Sequence, residues 1–150
     1  MAVREITPQD ANEKLKSGAD VVYIDVRTES EFAAGHPAGA VNIPVAFPDP
    51  GRGMVRNPEF VEVVEAHFPK DKKLILGCQA GPRSNAAAGL LQQAGYEEVF
   101  NMLGGFGGMR DSGGRIISPG WSSLGLPVSD ENGEGTSYQS LKAKAQGAKS

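Results

Sequence analysis

The chain has 150 residues, of which 39% are hydrophobic and 22% charged, and a net charge of −3. One globular domain with a single core fits these values, and bulk electrostatic binding of nucleic acid does not. No apolar run approaches the roughly 18 residues of a membrane helix, and the start, Met1-Ala2-Val3-Arg4-Glu5-Ile6, has no apolar targeting stretch, so a cytoplasmic location without nucleic-acid or membrane partners is expected.

Thr7 offers an N-cap, Pro8 a first helical position and Asp10 an acid in the first turn, predicting a helix to residue 17 before Gly18. Residues 21–26 read as a strand, because Val21-Val22-Tyr23-Ile24 lacks the polar alternation of a half-exposed strand. Thr28 and Glu31 have capping-box spacing for a short helix ending at Gly35. A brief strand over 40–43 stops at Pro44. Residues 45–56, with Pro48, Pro50, Gly51 and Gly53, read as a long irregular loop. Asn57-Pro58-Glu59 starts a helix in which Phe60, Val61, Val64 and Phe68 recur at helical spacing, and Pro69 closes it.

Residues 73–77 form a strand that delivers Cys78, and a helix over 85–94 follows, with Ser84 at its N-cap and Gly95 past its end. Residues 99–102 are another strand, and 104–111 a Gly-rich turn with one helical turn. That turn lacks the Lys-Ser/Thr ending of a phosphate-binding loop. From Ser129 the composition shifts to Ser, Gly, Gln, Ala and Lys. Ser137 can cap a short helix with Tyr138 and Leu141 on one face, but 129–150 reads as a largely flexible tail behind a domain of residues 1–128. Alternating strands and helices predict an α/β layer with a mostly parallel sheet, helices on both faces, and ligands outside the carboxyl ends of strands.

Cys78, the single cysteine, stands at such an end. One cysteine excludes an internal disulfide framework and suits a reducing compartment. Wrapping from strand to helix gathers backbone N–H groups, and these, with the positive end of a helix, favour a thiolate over a thiol. Gly81 supplies backbone angles barred to other residues, while Pro82 presets one angle and has no N–H. Cys78 is therefore the candidate nucleophile, and the amides of Gln79, Ala80, Gly81, Arg83 and Ser84 are candidate anion donors. Arg83 can hold the anionic head of a substrate or pair with an acid such as Glu31. A lone strand-end cysteine also has a plainer reading as a small buried apolar residue.

The stretch Cys78-Gln79-Ala80-Gly81-Pro82-Arg83-Ser84 resembles the active-site loop of rhodanese-like sulfurtransferases, C-x-x-G-x-R-S. Tyr23-Ile24-Asp25-Val26-Arg27 is similar to the family's strand ending in D-V-R. Residues 31–44 are similar to its E-F-x-x-G-H-x-x-G-A-x-x-I-P signature, and Leu103-Gly104-Gly105-Phe106 to its L-x-G-G-F turn. Across residues 5–128 the resemblance implies a central five-stranded sheet flanked by helices. It also implies sulfur relay, in which Cys78 takes a sulfane sulfur from a small donor anion such as thiosulfate and holds it as a persulfide. Cyanide or a thiol, a protein thiol included, then accepts the sulfur. Cys78 would be catalytic, and Gln79, Ala80, Gly81, Arg83 and Ser84 substrate-binding, with no metal and no cofactor.

Related cell-cycle phosphatases place one more residue between cysteine and arginine, which widens the cradle for phosphate; four intervene here, favouring sulfur over phosphoryl transfer. A non-catalytic persulfide carrier or binding module, and a cysteine-dependent phosphatase or arsenate reductase on the same fold, are the alternatives. Gln79 departs from thiosulfate-preferring relatives, which often carry arginine there, and residues 109–120 read as an insertion ahead of Trp121. Asp25 and Arg27 read as scaffold, with Arg27 and Glu31 four apart and able to pair. His36 reads as a hydrogen-bonded structural histidine, with no second ligand type at metal spacing near it or His67. Trp121 reads as packed. Arg52, Arg56, Arg110 and Arg115 read as solvated charges that can also steer an anionic donor.

Overall fold

A sheet of five parallel strands forms the centre of the fold, described for residues 4–17, 20–79 and 82–148 in a computed structural model. The chain runs β1 (Arg4–Ile6), α1 (Pro8–Lys16), β2 (Val21–Asp25), α2 (Glu29–Ala34), β3 (His36–Pro37) and β4 (Val41–Asn42). It continues through β5 (Ala46–Asp49), β6 (Gly53–Arg56), α3 (Phe60–His67), β7 (Lys73–Gly77) and α4 (Pro82–Gln93). The remaining elements are β8 (Val99–Met102), β9 (Met109–Arg110), β10 (Ile116–Ser118), β11 (Val128–Ser129) and α5 (Tyr138–Ala148). The sheet order is β1-β8-β7-β2-β4, with every pairing parallel.

Local chemistry sets the boundaries that the sequence suggests. Thr7 accepts the Asp10 N–H ahead of Pro8, and Ser17 ends α1. Thr28 and Glu31 close a reciprocal capping box at the head of α2, which Gly35 ends. Alternation along the strands then sorts side chains between two layers. Ile24, Leu74 and Leu76 share a core with Val63 and Val64 of α3, Leu91 of α4 and Leu141 of α5. Tyr23, Ile75 and Phe100 share the other with Ala11 of α1, Phe32 of α2 and Trp121. Helices therefore cover both faces, and β7 is apolar throughout its middle. Leu74, Ile75 and Leu76 are fully buried, and each contributes about 1.5–3 kcal/mol.

Residues 45–56 are not an irregular loop, because β5 and β6 form a hairpin that pairs Ala46 with Arg56 and Asp49 with Gly53. At its tip the Arg52 N–H donates to Asp49 O at 3.2 Å, the Asp49 carboxylate accepts the Gly51 N–H at 2.8 Å, and Gly53 takes φ 79°. The prolines that suggest a loop are tolerated in a ribbon of two strands, where Pro48 meets no second partner and Pro50 sits in the turn. Residues 104–111 hold a single i→i+4 turn, closed by the Gly108 N–H to Gly104 O at 2.8 Å, that does not continue as a helix. Gly104, Gly105 and Gly108 take φ of 75°, 59° and 95°, outside the right-handed helical region, and the chain passes into β9, paired antiparallel with β10.

The segment from residue 129 is not a flexible tail, and the domain does not end at residue 128. Ser129 pairs with His36. Ser137 caps α5 by accepting the Ser140 N–H at 3.2 Å, and Tyr138, Leu141 and Ala145 are 4%, 4% and 3% exposed. The Tyr138 hydroxyl accepts from Asn57 Nδ2 at 3.1 Å, and His67 Nε2 lies 2.7 Å from Leu141 O beside α3. Composition conceals this docking because the few apolar contacts are diluted among Lys, Gln and Ser. Replacing Tyr138 with Ala is expected to lower the unfolding free energy by about 3 kcal/mol in urea; an unchanged midpoint would show that α5 is not docked.

Candidate active site

The C-terminal end of β7 presents Cys78, and α4 begins four residues later at Pro82. Proline suits this first helical position, since its φ is preset and its missing N–H would have no helical partner. The helix thus starts before the expected residue 85, which puts Ser84 inside the first turn and corrects its reading as an N-cap. The Ser84 side chain turns inward instead. Ser84 is fully buried, donates to Asn101 Oδ1 at 2.5 Å and lies 3.5 Å from Cys78 Sγ.

Asn101 was not anticipated from the sequence, although a polar side chain inside Val99-Phe100-Asn101-Met102 was the available signal. Cys78 itself is 1% exposed and borders the core shared by α3, α4 and α5. Burial alone fits an inert thiol, but a hydroxyl within reach of the sulfur is a polar environment that an inert thiol does not need. Ala80 and Gly81, two of the expected amide donors, lie outside the described residues.

The turn after β8 grips the loop through backbone. Phe106 N–H donates to Cys78 O at 2.7 Å, and Gly107 N–H to Gln79 O at 3.0 Å. A Cβ on Gly105 would collide with Cys78 O and come within 2.7 Å of Gln79 C, so this approach requires glycine. A further clearance comes from Gly77, where the Tyr23 hydroxyl fills the space that a side chain would take.

Two guanidiniums flank the loop, and a carboxylate balances each. Arg27 Nε and Nη2 bind the Asp25 carboxylate at 3.0 and 2.8 Å in a buried pair. The same guanidinium donates to Gly35 O at 2.6 Å and to Gln79 Oε1 at 3.3 Å, and lies 4.5 Å from the centre of the Phe106 ring. The expected pairing of Arg27 with Glu31 therefore does not form. Asp25 is the buried acid and requires the counter-charge, which Arg27 supplies with a two-point contact.

Glu31 takes Arg83 instead, with Nη1 to Oε1 at 2.8 Å and Nη2 to Oε2 at 3.1 Å. Hydrogen bonding from Arg83 lowers the Glu31 carboxyl from 4.5 to about 2, with burial opposing it and the Thr28 amide assisting. The same contact holds the Arg83 guanidinium above its ordinary value. Of the two roles open to Arg83, pairing is the one the structure adopts.

His36 is buried, its Nδ1 lies 2.7 Å from Phe32 O and its ring stacks on Phe32, which makes it a packing residue. Trp121 is buried too and donates from Nε1 to Pro127 O at 2.6 Å. Arg52, Arg56, Arg110 and Arg115 are exposed on the two ribbons. Among the described residues no three His, Cys, Asp or Glu side chains gather as a metal site would need.

Residues 7–111 match the Rhodanese-like domain family. The chain belongs to the rhodanese-like family. It is 41% identical over 107 residues to thiosulfate sulfurtransferase 16, chloroplastic, of Arabidopsis thaliana, a match covering 71% of this chain and 78% of the relative. It is 42% identical over 84 residues to rhodanese-like domain-containing protein 15, chloroplastic, of the same plant, covering 56% of this chain and 46% of the relative. The rhodanese-like chain thus spans about half the length of that second protein. Among solved structures, Rv0390 from M. tuberculosis superposes with a TM-score of 0.72 at 30% identity, covering 87% of this chain and 100% of the other. Both plant relatives are chloroplastic, which overturns the cytoplasmic location expected from the residues after Met1 alone.

A depressed carboxyl stabilises the folded state above its unfolded value and loses that contribution as pH falls through its folded value. For Glu31 the contribution is complete above about 4.5 and disappears as pH drops toward 2. Thermal midpoints measured across this range should fall more steeply for the native rhodanese-like domain than for Glu31→Gln; parallel curves would refute the pairing with Arg83.

Proposed function

We propose that this domain is a sulfurtransferase acting through a Cys78 persulfide. The Cys78 thiolate attacks the outer sulfur of a sulfane donor such as thiosulfate. A sulfur–sulfur bond to Cys78 forms, the donor's own sulfur–sulfur bond breaks, and its electron pair leaves with sulfite. Cyanide or a thiol then attacks the terminal sulfur, becomes thiocyanate or a new persulfide, and regenerates the thiolate.

The observation that carries the reading is the Ser84 hydroxyl 3.5 Å from Cys78 Sγ at the carboxyl end of a central parallel strand. The one proton of that hydroxyl rests on Asn101 Oδ1; turned to a sulfur anion it would, together with the amides of Gln79, Ala80, Gly81, Arg83 and Ser84, steady the terminal sulfur of the stored persulfide. The donor is a small sulfane-bearing anion and the acceptor cyanide or a thiol, a protein thiol included, and the chemistry needs no metal and no cofactor. The four residues between Cys78 and Arg83 favour this over phosphoryl transfer.

Intact mass after incubation with thiosulfate should rise by one sulfur atom, fall back on adding cyanide and stay unchanged in Cys78→Ser. Sulfur uptake with negligible turnover would identify a carrier instead. Hydrolysis of an aryl phosphate or reduction of arsenate, without sulfur gain, would identify the phosphatase or arsenate-reductase alternative.

A further inference from the structure

We propose that Glu31 sets the donor preference of this site: by gripping Arg83 it leaves the loop without unbalanced positive charge, and so favours small organic persulfides over thiosulfate. The inference rests on the persulfide reading above and names the donor class within it.

Arg83 is the cation carried by the loop itself, and Glu31 is the first cause of its guanidinium being held above its ordinary value. Its two terminal nitrogens face the two oxygens of Glu31 side by side, the fork geometry in which an arginine is least available to a second anion. Glu31 is held in its turn. Its Oε1 accepts from the Thr28 N–H at 3.2 Å and from the Thr28 hydroxyl at 3.0 Å, so the capping box of α2 aims the carboxylate at the loop. With the carboxyl lowered to about 2, the grip stays charged at any pH near neutrality.

The second guanidinium is no more available. Arg27 is committed to Asp25, both 4% exposed or less at the side chain, and its outward nitrogen is spent on Gln79 Oε1 at 3.3 Å. The charges touching the loop therefore cancel in pairs, Arg27 with Asp25 and Arg83 with Glu31. Among the described residues, what remains beside the sulfur for a donor is the dipole of the Ser84 hydroxyl.

Donors differ in what they ask of such a site. Thiosulfate is doubly charged, and its sulfonate head must lose water beside the loop without gaining a counter-ion. An organic persulfide carries charge only on the sulfur pair that reacts, next to Cys78 and within reach of the Ser84 hydroxyl. In each case Cys78 bonds to the outer sulfur and the donor's sulfur–sulfur bond breaks. The electron pair leaves on sulfite from thiosulfate and on an alkyl thiolate from the persulfide.

The test is the second-order rate of sulfur gain at Cys78, read by intact mass with thiosulfate and with 2-hydroxyethyl persulfide, without an acceptor. Glutamine keeps the capping role of Glu31 but not its charge, so Glu31→Gln should speed loading by thiosulfate about fivefold or more while changing loading by the persulfide less than about twofold. The double variant Glu31→Gln/Arg83→Gln should return the ratio of the two rates to its native value. If Glu31→Gln fails to fold by circular dichroism, Arg83→Gln alone should slow thiosulfate more than the persulfide, because the Glu31 carboxylate is left unbalanced. Equal fold-changes for both donors, or slower thiosulfate loading in Glu31→Gln, overturn this inference alone. A native protein that gains sulfur from neither donor overturns the persulfide reading with it.

Discussion

Arg27 is the residue on which the arrangement of the site depends. It answers the buried charge of Asp25, donates to Gly35 O at the end of α2, reaches Gln79 in the loop and supports the ring of Phe106. A buried carboxylate without this partner would be strongly destabilising. Once the pair exists, its spare donors fix how β2, α2, the loop and the turn after β8 sit against one another. Asn42 adds to the joint by donating to Asp25 O and Arg27 O at 3.0 and 3.1 Å.

That joint explains why the loop can be held largely by main chain. Phe106 and Gly107 donate to the carbonyls of Cys78 and Gln79, an approach that only a glycine at position 105 permits. Side chains add to this grip, Arg27 through Gln79, Glu31 through Arg83 and Asn101 through Ser84. The family's short motifs are thus parts of one assembly that meets at the end of β7.

The sheet and the first half of the chain were legible because their signals are local. Caps at Thr7 and Thr28 and apolar runs at β2 and β7 each depend on neighbours within a few residues. The hairpin of β5 and β6 was not legible, since proline and glycine mark turns and irregular loops alike and only cross-strand pairing distinguishes them. Ser84 misled for a related reason: its type suits a cap, and Pro82 had already started the helix. Cys78 and the Arg83–Glu31 alternative were visible from residue type and spacing, whereas Asn101 gains its meaning from a neighbour 17 positions away.

The docking of α5 bears on how the molecule matures as it is made. Asn57 finds the Tyr138 hydroxyl 81 positions further along the chain, and the apolar side of α3 is covered by Leu141 and Ala145. A nascent chain emerging from its N-terminus can pair β2 with β4 and later with β7, yet the outer layer stays open until α5 has cleared the ribosome. Contacts between such distant segments form slowly, because the intervening chain must first be closed into a loop. The layer over α3 is therefore closed by residues far outside the motifs that mark the family.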